Sequence, residues 1–154
     1  MGQIDNRLAE LGVTLPPAAK PVANYVGWVK TGNLVFTAGQ VPLSEGKVAY
    51  QGKVGKDIPL DDANKAARLC AIGILSQLRD ACGGDLDRVV RIVKLVGFVN
   101  AVPEFADHPK VINGASDFLV EVFGERGKHA RSAVGSGSLP LNVAVEIEAV
   151  AEIA

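Results

Sequence analysis

Residues 88–102, RVVRIVKLVGFVNAV, are the stretch that decides the fold. The run is rich in β-branched residues and contains no internal turn signal, so it predicts one long strand. Strict alternation places Val90, Ile92, Val96 and Phe98 on one face, and Val89, Val93, Leu95 and Val99 on the other. A strand that is apolar on both faces needs cover on both faces. The stretch therefore predicts a central strand that is buried on both sides.

Two long amphipathic helices are predicted to flank this strand in the chain. Residues 61–82 place apolar side chains at helical spacing and end at Gly83. Residues 109–123 repeat the pattern and end at Gly124. These helices suffice to cover one face of a sheet. We therefore expect the other face to be covered by another subunit.

The remaining elements are predicted from short patterns. They are a helix over residues 3–11 in an N-terminal extension (1–17), hairpin strands at 25–30 and 34–38 joined at Gly32-Asn33, an edge strand or loop at 47–56, and final strands within 129–153. This order of elements predicts a single α+β domain over residues 1–154, in which two helices pack on one face of a mixed sheet.

Composition excludes several classes of protein. The 154 residues carry 16 basic and 17 acidic side chains, which disfavours an electrostatic role in binding nucleic acid. No run reaches the roughly 18 apolar residues of a membrane span, and the N-terminus lacks the apolar segment of a secretory signal. Cys70 and Cys82 fall about 18 Å apart along one predicted helix, too far to bridge. We expect reduced, core-filling thiols in a cytoplasmic protein.

The C-terminal stretch, residues 129–153, contains the charged residues of interest. Arg131 precedes a glycine-serine passage, and the alternation of the last strand puts Glu146, Glu148 and Glu152 on one face. On the residues alone, these charges are better interpreted as solvated surface groups. If the second sheet face is buried between subunits, however, the acids are partly desolvated and need partners. A cleft lined by Arg131 and a carboxylate is then a reasonable hypothesis.

Other chemistries lack their motifs. The possible metal ligands, His108, His129, Cys70 and Cys82, do not have metal-site spacing, so we expect no metal. Residues 135–140, GSGSLP, lack the pattern of a nucleotide-binding loop. The sequence contains no nucleophile-elbow motif, so it gives no support to a catalytic serine.

Three motifs resemble the RidA/YjgF family of enamine/imine deaminases. They are Arg131-Ser132-Ala133-Val134 followed by Leu139-Pro140, residues 145–151 (VEIEAVA), and residues 37–42 (TAGQVP). Gly32-Asn33 also resembles the family's hairpin, and residues 96–99 (VGFV) its central strand. The resemblance covers about residues 20–153.

The resemblance implies a chorismate-mutase-like fold and a homotrimer with a central barrel of sheets, with sites in the clefts between subunits. By resemblance, Arg131 binds the substrate carboxylate, and Glu146 with the Gly39 carbonyl positions water. The implied substrate-binding set also contains Tyr25, Asn113, Ser132 and Ala133. Water adds to a 2-imino acid and ammonia leaves, giving a 2-oxo acid. No cofactor is required, because the imine is already electrophilic.

Two departures from the family pattern leave alternatives open. His129 stands where the family usually has proline, and Ala133 replaces a common cysteine. A non-catalytic trimer that senses small carboxylates is therefore a second hypothesis. A ribonuclease or translation inhibitor is a third, and the near-neutral charge argues against it.

Overall fold

The fold is a five-stranded sheet covered on one face by helices, seen in a computed structural model that describes residues Met1–Ala154. In chain order the elements are α1 (Gln3–Glu10), β1 (Trp28–Thr31), β2 (Leu34–Thr37), β3 (Leu43–Ser44), β4 (Lys47–Val48), α2 (Leu60–Ala81), β5 (Val89–Asn100), α3 (His108–Phe123), β6 (Ala130–Ser136) and β7 (Val145–Ile153). The sheet order is β1-β2-β7-β5-β6, with β5 and β6 parallel and all other neighbours antiparallel. The expected α+β fold with a mixed sheet is confirmed.

The central strand β5 departs from strict alternation. Its pairing with β7 shifts register between Val89 and Arg91 and again between Ile92 and Lys94. Each bulge inserts one extra residue, so Val89, Ile92 and Leu95 all reach the helix-covered face and are fully buried. The prediction of Ile92 on the opposite face from Leu95 was wrong, because strict alternation of side chains takes no account of a β-bulge.

The hairpin near the N-terminus is shorter than predicted. Trp28 and Thr37 form its last residue pair, so the strand begins at Trp28 rather than at Tyr25. Beyond Thr37 the chain turns away, and Gln40 instead exchanges two backbone hydrogen bonds with Ile147 of β7. The Gly27 carbonyl still accepts from the Ala38 backbone N–H at 2.8 Å, but the residues before Gly27 have no strand to pair with. The weak segment at residues 47–56 contains β4 of a separate two-stranded hairpin.

Helices α2 and α3 form one layer over the inner face of the sheet. Their contact is close because Gly114 of α3 faces the backbone carbonyl of Asn64, where a Cβ would lie 2.0 Å from the oxygen. Similarly, Gly97 of β5 lies under Ile112, whose Cδ1 would be 2.5 Å from an added Cβ. Cys70 and Cys82 are buried free thiols, as predicted. None of the helices is long and apolar enough to cross a membrane.

The short helix α1 is docked by a side chain from another element. The Asp87 carboxylate accepts hydrogen bonds from the backbone N–H groups of Gln3 and Ile4, each at 2.9 Å. These are N–H groups of the first helical turn, which lack partners within the helix. Leu8 is buried below them, and Arg7 donates to the Glu121 carbonyl of α3.

The second face of the sheet carries no layer from this chain. Val29 is 54% exposed and Phe36 42% exposed, and the register aligns them with Val150 of β7. Val134 of β6 aligns with Phe98 on the same face and is also exposed. The predicted cover of one sheet face by helices is confirmed, and the other face, which is expected to meet another subunit, is open in the single chain.

Substituting Gly114 with alanine should destabilise the protein. In an ordinary helix this change stabilises by roughly 0.5–1 kcal/mol. Here the new methyl group meets the Asn64 carbonyl, and overpacking of this kind costs about 1–3 kcal/mol. Urea unfolding should therefore show a net loss for Gly114→Ala. A gain in the free energy of unfolding would contradict the tight α2–α3 contact.

The docking of α1 should weaken at acidic pH. Hydrogen bonds from the Ile4 and Gln3 backbone N–H groups hold the pKa of Asp87 below its usual value. The stabilisation is therefore complete above the ordinary carboxyl pKa of about 3.9 and is lost as pH falls through the lowered one. The protection factors of the α1 amides, measured by hydrogen exchange and corrected for the intrinsic rate at each pH, should fall in that window. Asp87→Asn should remove this pH dependence, and the exposed Asp117→Asn should keep it.

Candidate functional site

Arg131 lies on edge strand β6, on the face covered by helices. It registers with the buried Leu95 of β5. Its Nη1 donates to the Ser116 hydroxyl at 3.0 Å, and its Nη2 donates to the Pro109 carbonyl at 3.3 Å. The ion pairs of the chain join other residues, namely Arg7–Glu10, Lys110–Asp107 and Lys128–Glu125. Within one chain, the half-buried guanidinium thus holds a defined orientation while its charge has no acidic partner.

One side of α3 faces Arg131 and offers it a backbone carbonyl and a hydroxyl. Pro109, Asn113 and Ser116 are spaced i, i+4 and i+7, which places them on one side of the helix. The first and the last of these three residues contact Arg131. Ala133 follows Arg131 by two residues on β6, so it points to the same side of the sheet, where it packs against the core. The structure therefore groups Arg131, Asn113 and Ala133.

Gly39 and Glu146 form a second group on the open face. Glu146 of β7 registers with Phe98. A Cβ added to Gly39 would lie 2.5 Å from Glu146 Oε2, so this carboxylate rests directly against the glycine. The reciprocal backbone bonds between Gln40 and Ile147, at 2.8 and 3.0 Å, hold the two segments together. Only a residue without a side chain allows this contact.

The pKa of the Glu146 carboxyl is raised above its usual value. Burial is the larger cause, and the like charge of Glu148 is the second. A carboxylate with a raised pKa is a better proton acceptor, and general acid–base catalysis works best when the pKa of the group lies near the operating pH. Such perturbed groups are common at functional sites.

The two groups lie on opposite faces of one sheet. Arg131 shares a row with Leu95 and Ala149 on the helix side, whereas Glu146 shares a row with Phe98 on the open side. The fold therefore brings Gly39 to Glu146, and Asn113 and Ala133 to Arg131. It does not bring Arg131 to Glu146 within one chain.

The other two sequence-predicted residues lie apart. Tyr25 is 57% exposed and lines a groove of about 900 Å³ together with Trp28, Gln77 and Asp80. Ser132 is exposed and registers with Val96, which places it on the open face. Each has free side-chain surface that a second molecule can reach.

Sequence reasoning missed Ser116 and Pro109, the two groups that hold Arg131. The signal that could have found Ser116 is its spacing, because it follows Asn113 by three residues on the same helix face. His129, singled out as a departure, contacts the same hydroxyl at 2.9 Å. The Cys70 thiol, by contrast, is fully buried, and burial and then Glu146 raise its pKa well above the usual value, which disfavours the nucleophilic thiolate. No group of three or more acidic, histidine or cysteine side chains could hold a metal ion.

The sequence matches, over residues 5–153, the family described as "YjgF/chorismate mutase-like, putative endoribonuclease". The chain belongs to this family. The YjgF resemblance of its motifs is thereby confirmed. Among relatives, it is 43% identical to protein TCP17 of Trypanosoma cruzi over 153 residues, which cover 99% of this chain and 95% of the relative.

Solved YjgF-fold structures agree with this assignment. A protein of unknown function from Agrobacterium tumefaciens is 50% identical with a TM-score of 0.93, covering 98% of this chain and 92% of the other. E. coli TdcF, solved with bound serine, is 25% identical with a TM-score of 0.65, covering 89% and 94% of the two chains. The chorismate-mutase-like fold of the chain is thus shown.

Removing the charge of Glu148 should lower the pKa of Glu146. The shift should be partial, because burial remains as the larger cause. Titration of the Glu146 carboxyl by carbon NMR should show a lower pKa in Glu148→Gln and an unchanged pKa in Glu152→Gln. An unchanged pKa in Glu148→Gln would mean that the two carboxylates do not interact.

Proposed function

We propose that the protein hydrolyses 2-imino acids and their enamine tautomers to 2-oxo acids and ammonia. Arg131 binds the substrate carboxylate, and Glu146 with the Gly39 carbonyl orients the attacking water. The proposal rests above all on one observation. The Arg131 guanidinium is half-buried, is held by neutral groups and has no acidic partner in its own chain. It is therefore available to a carboxylate from outside.

The ligand class follows from the chemistry of that cation. A planar guanidinium grips a carboxylate through two parallel N–H···O bonds, a geometry that an ammonium cannot supply. Arg131 keeps N–H groups free beyond those given to Ser116 and Pro109. The bound serine of E. coli TdcF is a small amino acid with the same carboxylate. This likeness supports a small α-substituted carboxylate as the ligand.

In the proposed hydrolysis, the Glu146 carboxylate carries the proton that is removed from the attacking water. Water attacks the carbon of the protonated imine while the Glu146 carboxylate takes one proton from the water, which gives a neutral tetrahedral carbinolamine. Glu146 then returns this proton to the nitrogen, the C–N bond breaks and ammonia leaves, and the hydroxyl oxygen forms the carbonyl as it gives its own proton back to the Glu146 carboxylate. The raised pKa of Glu146 suits this exchange in both directions. The products are a 2-oxo acid and ammonia.

A complete site requires two subunits. Arg131 and Glu146 lie on opposite faces of the sheet, so a cleft that contains both draws Arg131 from one protomer and Glu146 from its neighbour. Such a heterologous contact forms a ring when the rotation between neighbouring subunits closes. The open face with Val29, Phe36 and Val134 is the surface available for it. We propose a homotrimer with three such clefts.

Arg131→Lys should lower kcat/KM by about 10- to 100-fold, because the paired hydrogen bonds to the carboxylate are lost. Glu146→Gln should lower kcat by about 10²- to 10⁴-fold, since the proton acceptor is gone. The assay follows ammonia and 2-oxo acid from a 2-imino acid generated in situ. Arg7→Lys on α1 serves as the matched control and should match the wild-type rate. Equal rates in all variants would overturn the proposal.

Mixed oligomers test the shared cleft. Arg131→Ala and Glu146→Gln are each expected to be inactive alone. When they are co-expressed, about a quarter of the clefts in randomly assembled rings combine an intact Arg131 with an intact Glu146. Activity should then reappear. Its absence, in particles shown by light scattering to be mixed, would place the site within one chain.

A non-catalytic sensor of 2-oxo acids remains the second candidate, because Ala133 stands where the family commonly has cysteine. The same assay separates the two functions. Tight, Arg131-dependent binding of 2-oxobutanoate with no ammonia release would favour the sensor.

A further inference from the structure

A short hydrogen-bond chain connects the backbone to Arg131. His129 Nδ1 lies 2.7 Å from the Gly127 carbonyl oxygen. Its Nε2 lies 2.9 Å from the Ser116 hydroxyl. That hydroxyl in turn accepts from Arg131 Nη1 at 3.0 Å. Four groups from α3, the following loop and β6 are thus linked in series.

When His129 is neutral, the direction of every bond in this chain follows from the donors and acceptors present. The Gly127 carbonyl can only accept, so His129 Nδ1 must carry the proton and donate it. In neutral imidazole the other ring nitrogen is then an acceptor, so the Ser116 O–H donates to His129 Nε2. The lone pairs of Ser116 are left for the N–H of Arg131, which can only donate.

We infer that Ser116 and His129 are positioning residues that hold the Arg131 guanidinium in the orientation that binds the substrate carboxylate. The inference rests on the proposed function and explains how this chain orients the Arg131 guanidinium before the substrate binds. Pro109 holds the second nitrogen through its carbonyl at 3.3 Å. Two neutral contacts on two nitrogens restrict rotation of the guanidinium in its plane.

The two groups that hold Arg131 are uncharged, and this suits a site that binds a carboxylate. An acidic partner would orient Arg131 equally well, but it would also compete with the substrate for the same charge. A hydroxyl and a carbonyl orient the group and leave its charge uncompensated. Preorganisation of this kind lowers the entropy lost when the ligand binds.

The chain of bonds requires neutral His129. Burial and, as a smaller cause, the charge of Arg131 lower the pKa of His129, while the bond to the Gly127 carbonyl acts in the opposite direction. When the ring is protonated, Nε2 becomes a donor to the Ser116 oxygen and the hydroxyl hydrogen turns away. A second cation then competes with Arg131 for that oxygen and repels the guanidinium from its fixed orientation. Carboxylate binding should therefore weaken as pH falls through the lowered pKa of His129.

Other charged groups near His129 do not replace this effect. Lys128 pairs with Glu125 at 2.8 Å, Arg126 donates to the Val89 carbonyl, and Arg91 donates to the Lys128 carbonyl. Lys94 of β5 registers with Ala130, and Asp117 beside Ser116 is exposed. None of these side chains forms a hydrogen bond to the imidazole.

Variants at Ser116 test positioning directly. Ser116→Ala should raise the Kd for 2-oxobutanoate, measured by calorimetry at pH 7.5, by about 3- to 10-fold, the effect of losing one hydrogen bond of ordinary strength. KM should rise in parallel while kcat stays within about twofold. The reason is that the substitution weakens binding of the ground state and of the transition state by the same amount. Ser116→Thr keeps the hydroxyl and should restore binding. Ser44→Ala, an exposed serine of the β3–β4 hairpin, is the control.

Variants at His129 test the pH dependence. His129→Gln retains an acceptor near Nε2 but cannot titrate, so its Kd should stay flat between about pH 5 and 7.5, across the titration range of histidine. The wild-type Kd should rise toward the acid end. His129→Phe removes the acceptor and should bind at pH 7.5 as weakly as Ser116→Ala. Thermal melts of each variant distinguish weakened binding from unfolding.

The outcomes separate this inference from the proposed function. If 2-oxobutanoate binds wild type and Arg131→Ala equally, the proposed function fails. If binding depends on Arg131 but folded Ser116→Ala and His129→Phe bind like wild type, the positioning role is wrong. If His129→Gln keeps the wild-type pH profile, the titrating group lies elsewhere and the pH argument fails.

Discussion

The close approach of α3 to α2 and to β5 is the constraint on which the rest of the structure depends. Gly114 lets α3 meet the Asn64 carbonyl, and Gly97 lets β5 pass beneath Ile112. These contacts set the distance and rotation of α3 over the sheet, because densely packed interiors shift little. The Pro109 carbonyl and Ser116 hydroxyl, both on α3, therefore reach Arg131 on β6. Packing deep in the core thus determines the geometry of a cation at the sheet edge.

The topology explains why the two halves of the proposed site face apart. Strand β6 joins the sheet edge in parallel to β5, and its alternation sends Arg131 toward the helices. Strand β7 occupies the middle of the sheet, and its apolar residues face the same helices, so Glu146 must face away. A chain with this order of strands cannot unite the two groups itself. Assembly is therefore the step that would complete the proposed site.

Both charged groups cost folding free energy in the isolated chain. Arg131 is partly desolvated without an acidic partner, and Glu146 has a raised pKa because burial and Glu148 disfavour its ionised form. Groups with perturbed electrostatics are common at functional sites, where activity often trades against stability. The neutral chain through Ser116 and His129 reduces one cost without removing the charge.

The sequence by itself determined the elements and most of their faces. Local periodicity and turn chemistry predict the helices that stop shortly before Gly83 and Gly124, the hairpin around Gly32, and the face shared by Glu146, Glu148 and Glu152. The order of three motifs was enough to indicate the family. These features depend on neighbouring residues, so they can be inferred without the tertiary structure.

Only the tertiary structure decided what depends on distant partners. The bulges that turn Ile92 inward come from pairing with β7, and the late start of β1 at Trp28 comes from the turn of the chain after Thr37. The contact of Gly39 with Glu146 joins residues far apart in sequence. The same holds for the bonds that link Arg131, Ser116 and His129, because side-chain hydrogen bonds depend on helix-to-strand packing. Periodicity contains no information about such packing.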